Sequence, residues 1–205
     1  MSYSVVSYLT NSTEIKKLYE SKNQKLLASL LDELSDELDD LNDDFDFDDN
    51  IGDAKNSQEV LTDIINGDIR FPELAYMYGY VYEKLCGHYG EQVIPPNDEF
   101  STNYYWAIPK QTYKAFIPIP FSSDFPEIYS IPTTELQAEK DKFLALTERD
   151  GVDEDYLKME KEDFKFTFDK AIEDNKDLVF FFIDLTVNKT PHNKGFQKRT
   201  EVLRL

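Results

Sequence analysis

The stretch YMYGYVYEKLCGHYGE, residues 76–91, gathers the side chains best suited to chemistry: five tyrosines, two glutamates, one cysteine and one histidine. A cysteine nucleophile needs its base on the same side of the helix. At about 100° per residue Cys86 and His88 stand about 200° apart, so they point in opposite directions. His88 falls in the last helical turn, where the helix dipole favours a cation, and Cys86 reads as packing. What remains is binding. Tyr76, Tyr80, Glu83 and His88 would line a small-molecule cleft around this helix, for a ligand or for a reaction. The competing reading is that the rings fill the core and leave their hydroxyls at its rim.

A second concentration of chemistry is DELSDELDDLNDDFDFDDN, residues 32–50, with eleven acids and no base. A calcium loop opened at Asp46 would place Asp48 and Asn50 correctly. It would put Ile51 where glycine is required and Ser57 where the closing glutamate belongs, so the loop pattern fails. The acids instead read as a surface. Asp36, Glu37, Asp39, Asp40, Asp43 and Asp44 are the candidate contacts for a basic protein partner, because an acidic patch steers a cationic partner and raises its association rate.

The rest of the composition narrows the chemistry. Two histidines and one cysteine exclude a three-histidine zinc site, HExxH and any cysteine cluster. GxxxxGK[ST], GxGxxG and GxSxG are absent, so phosphate-cradling loops and the hydrolase elbow are not expected. No cofactor and no metal are expected. A net charge of −19 argues against nucleic acid and anionic membranes as partners. The longest apolar runs, such as LVFFFI at 178–183, fall far short of the roughly 20 residues of a membrane span. A single cysteine, Cys86, suits a reducing compartment, and MSYSVVSYLTNSTEIKK lacks the basic and apolar regions of a secretion signal. The expected location is the cytoplasm. Residues 189–205 run the other way in charge, with five bases against Glu201.

The elements that must position these residues follow from periodicity. SYSVVSYL reads as a strand, and Ser12 or Thr13 as the cap of a short helix burying Ile15 and Leu18. Leu27, Leu31, Leu34, Leu38, Leu41 and Phe45 predict one helix from about Lys25 to Asp44, its acids on the opposite face. The segment at about 43–56 is expected to be an acidic linker. Asn56 and Glu59 form a capping box for a helix closed by Gly67. Pro72 to Tyr89 predicts the central core helix, with a Leu74/Val81/Leu85 stripe and a small-residue line, Ala75/Gly79/Cys86, that invites close approach. STNYYWAI and YKAFIPIPF read as short strands whose prolines confine them to edges or extended coil. Thr134 and Gln137 open a further helix to about Leu146. FKFTFDKAIEDN leans to helix, and DLVFFFIDLTV to a buried strand.

Three stretches in order, MSYSVVSYL, YGYVYEKLCGHYGE and IPIPFSSDFPEI, resemble an uncharacterised family of bacterial cytoplasmic proteins. That family is a domain of unknown function found especially in actinobacteria. The resemblance implies one bacterial domain and brings no catalytic residue with it. The expected architecture is one α+β domain over residues 1–205, with several helices packed on a small antiparallel or mixed sheet. The leading functional expectation is a non-enzymatic, inhibitor- or immunity-like protein that binds a basic partner. The alternative is a small-molecule binder or enzyme using the tyrosine-rich helix.

Overall fold

Leu178 to Ile183 are six consecutive apolar residues, all buried, and a strand with no polar face must be covered on both sides. This strand, β4 (Asp177–Asp184), is central in a four-stranded sheet. Its neighbours are β1 (Tyr3–Thr10) and β3 (Glu127–Ile131), with β2 (Gly90–Val93) outside β1, and all three ladders are antiparallel. The computed structural model describes residues 3–45, 56–97, 114–122, 125–145 and 154–184. Among these residues it is one α+β domain with seven α-helices and the four-stranded sheet.

The helices divide between the two faces. Five precede β2: α1 (Ser12–Leu18), α2 (Gln24–Glu33), α3 (Ser35–Asp44), α4 (Ser57–Asn66) and α5 (Ala75–His88). They bury Tyr8, Val179, Phe181 and Ile183 from the sheet in one core. On the other face α6 (Leu136–Leu144) and α7 (Glu154–Glu173) cover Val5, Leu9, Phe180 and Phe182 with Phe143, Phe164 and Phe168. Alternate side chains of β4 thus serve alternate layers. FKFTFDKA lies in α7, where Phe164 and Phe168 face the core and Phe166 is exposed.

Several local expectations need correction. The leucine-rich segment is two helices, not one: Leu34 adopts φ −106° and ψ 12° between α2 and α3. The buried stripe is Leu27, Leu30, Leu34, Leu38 and Leu41, with Leu31 only half-buried. Leu30, three residues after Leu27, takes the place assigned to Leu31. Asn11, rather than Ser12 or Thr13, caps α1 by accepting the Thr13 N–H at 3.1 Å. No side chain caps α6, which begins at Leu136. YKAFIPIPF forms no strand in its described part. Only Lys114 bridges to Tyr129 on β3, in parallel, because Pro118 and Pro120 lack the donors a ladder needs. The Asn56 cap is as expected, accepting Glu59 N–H at 2.9 Å, and Gly67 closes α4 at φ 69°.

The central helix opens with a 3-10 turn, Pro72–Leu74, before α5. Val81, Leu85 and Cys86 are fully buried, whereas Leu74 and Ala75 are half-buried. Gly79 meets the expectation of close approach: a Cβ there would stand 2.6 Å from Pro126 Cγ. STNYYWAI, residues 46–55 of the calcium-like stretch and of the expected linker, and the basic tail lie outside the described residues.

Candidate functional site

Helix α5 sends its polar groups in several directions. Tyr76 and Tyr80 pack on Phe45 at the end of α3, with ring centroids 5.1 and 4.9 Å apart. Glu83 is buried and accepts the Tyr8 hydroxyl of β1 at 3.0 Å. His88, the last residue of the helix, places Nε2 3.3 Å from Glu33 Oε2 on α2 and lies edge-on to Tyr89. The structure therefore brings Tyr76 and Tyr80 together and sends Glu83 and His88 to separate partners. Tyr78 and Tyr82 are also tied down. Tyr78 donates to buried Asp63 at 2.6 Å, and Asp63 also holds Arg70 Nε at 2.5 Å and Arg70 N–H at 3.2 Å. The Tyr82 hydroxyl accepts the Phe116 N–H at 3.1 Å.

Burial sets the protonation of this helix. It pushes the Tyr8 hydroxyl far above its ordinary value, with the Glu83 carboxylate adding to the shift. Tyr82 and Tyr78 are raised first by burial, Tyr78 also by its bond to Asp63. The Cys86 thiol is pushed well up by complete burial. A thiol held protonated and out of contact with solvent is a poor nucleophile.

The acidic candidates occupy a different surface. Leu38 and Leu41 anchor α3 in the core, which turns Asp36, Glu37, Asp39, Asp40 and Asp43 to solvent. Asp39 is engaged, accepting Gln58 Nε2 at 2.7 Å, and Asp44 is half-buried. Asn42, between them, fixes α3 to α4 by accepting the Ser57 N–H at 2.9 Å, while Ser57 Oγ donates to Leu38 O at 2.7 Å. The surface is thus rigidly mounted. Asp32, Asp36, Glu37, Asp40 and Asp43 form no ion pair among the described residues.

The structure adds a feature that sequence reasoning missed. A cleft of about 610 Å³ opens between the first turns of α5, the edge strand β3 and the extended segment 114–122. Ala75 and Gly79 form part of its wall, and Ile128 and Ser130 line it from the same face of β3. Tyr76, Tyr80, Glu83 and His88 are not among the described residues lining it. Its only advance signals were the small residues of α5 and the prolines of IPIP, both read as structural.

Over residues 1–183 the sequence matches the family described as Domain of unknown function (DUF7691). The chain belongs to that family. The DUF7691 match spans the whole described fold up to the end of β4, acidic face and cleft included, and stops short of the basic tail. No curated protein and no solved structure matches the chain. No helix of the described residues is long and apolar enough to cross a membrane, and no three His, Cys, Asp or Glu side chains among them converge as a metal cage.

Proposed function

We propose that this DUF7691 chain is a non-enzymatic binding domain of the bacterial cytoplasm, inhibitor- or immunity-like, whose acidic face on α2 and α3 docks a basic protein. One observation carries the reading. Asp32, Asp36, Glu37, Asp40 and Asp43 are exposed and form no ion pair among the described residues, on helices whose leucines are locked into the core. Exposed like charges three and four residues apart repel by a few tenths of a kcal/mol per pair. A partner's lysines and arginines would relieve that repulsion and be steered towards it.

Asp39 accepts from Gln58 and Asp44 sits half-buried, so contact falls mainly to Asp36, Glu37, Asp40 and Asp43. The test is capture from lysate of the native organism by wild type and by the variant Asp36→Asn, Glu37→Gln, Asp40→Asn, Asp43→Asn. A basic protein retained by wild type and lost by the variant supports the reading. Identical captured sets reduce the acidic face to a solubility device.

A further inference from the structure

We infer that the cleft between α5, β3 and segment 114–122 is a binding site for a small organic monoanion with an apolar body, such as a medium-chain carboxylate. Its volume, about 610 Å³, lies within the roughly 300–1,000 Å³ of sites that hold small ligands. Its walls are mainly apolar, with Ile117 and Ile128 buried beneath it and Phe121 exposed at its rim.

Charge selects the ligand. Lys16 and Lys114 both line the cleft and neither forms an ion pair among the described residues. Lys16 Nζ lies 5.1 Å from the centroid of the Phe116 ring. Lys114 precedes Phe116 by two residues in the segment that forms the opposite wall. Among the described residues Glu135 is the single carboxylate on the lining. A local excess of cations is notable in a chain of net charge −19. Two lysines beside an apolar wall suit one anionic head and one apolar body. Among the described residues no arginine lines the cleft to offer a fork to a more highly charged head.

The floor carries a further polar group. Ser130 is 5% exposed, and its Oγ makes no hydrogen bond. The Tyr82 hydroxyl stands beside it, beneath the surface of the cleft. The shape itself depends on Gly79, which lets Pro126 approach α5 at the cleft wall.

The site is independent of the acidic face and is tested without any protein partner. The fluorescent anion 8-anilinonaphthalene-1-sulfonate is titrated into the folded chain, then displaced by decanoate or by decanol. Saturable one-to-one binding is expected, with decanoate displacing the probe about tenfold more effectively than decanol. The variant Lys16→Gln, Lys114→Gln should lose about tenfold in affinity for decanoate while its affinity for decanol is unchanged. Ala75→Leu, which fills the wall and leaves both lysines, should weaken both competitors. A cooperative thermal melt for each variant separates cleft binding from dye bound to unfolded chain. Absence of saturable binding, equal displacement by decanol, or an unchanged decanoate affinity in the lysine variant would overturn the proposal.

Discussion

Tyr8 of β1 donates its hydroxyl to the carboxylate of Glu83 on α5 across 3.0 Å of buried space, tying the sheet to the central helix. The same Tyr8 ring meets Phe181 of β4 edge-on at 5.8 Å. Removing the hydroxyl leaves a buried carboxylate without this donor. Tyr8→Phe is therefore expected to destabilise the fold by about 1–3 kcal/mol, read as a lower denaturation midpoint with an unchanged slope. A neutral outcome would show that Glu83 is hydrated.

Alkaline stability follows from the same residues. Tyr8, Tyr78 and Tyr82 are all raised, first of all by burial, so the native state holds those protons more tightly than the unfolded chain does. Their contribution is complete below the unfolded tyrosine value of about 10 and is lost as pH rises beyond it. The unfolding free energy should decline above about pH 10, and tyrosinate absorbance should show these hydroxyls ionising only with unfolding. Free titration of every tyrosine in the folded state would contradict this.

Asp177 governs the acid side. Burial alone would push its carboxyl up, but donors from Ser12 and Thr133 outweigh that and hold it below its usual range. It accepts Ser12 N–H at 2.9 Å and Thr133 N–H at 2.8 Å, joining α1, the turn after β3, and β4 at one corner. A depressed folded value gives stability that is present above the unfolded carboxylate value of about 3.9 and lost as pH falls through the folded one. Asp177→Asn should cost about 1–3 kcal/mol at neutral pH and flatten the acid limb below about pH 4. An unchanged acid limb would assign it to other carboxylates.

At Gly79 the space is already taken. A methyl group there would stand 2.6 Å from Pro126 Cγ and 3.0 Å from its Cδ. Gly79→Ala raises helix propensity by about 1 kcal/mol, yet overpacking of this kind costs about 1–3 kcal/mol. The clash should win, and calorimetry should show a lower melting temperature. A higher one would mean that segment 125–131 moves aside freely.

What the sequence made legible was what periodicity and turn chemistry encode locally. The β4 apolar run, the Asn56 cap and Gly67 stop of α4, and the small-residue line around Gly79 each state their own environment. Leu30 was passed over because Leu30 and Leu31 both satisfy a 3.6-residue period from Leu27, and only packing decides between them. The Asn11 cap was missed because Ser12 and Thr13 are equally good capping types one and two positions on. The cleft was illegible for a different reason. Lys16, Lys114 and Ser130 lie on three separate segments, and only the tertiary fold brings them to one cavity. The tyrosines of α5 drew attention by type, yet those with resolved hydroxyl bonds, Tyr78 and Tyr82, are held within the domain.

The central claim concerns the acidic face of α2 and α3, and its most direct measurement is the association rate of a basic protein captured by this chain, followed from about 0.1 M to about 1 M salt. Over that range the Debye length shrinks from about 10 Å to about 3 Å. The account predicts a steep fall in the rate for wild type. For the Asp36→Asn, Glu37→Gln, Asp40→Asn, Asp43→Asn variant it predicts a slower rate at low salt and a nearly flat dependence, with the melting curve intact because Leu38 and Leu41 are untouched. Equal rates and equal salt dependence for the two proteins would contradict it.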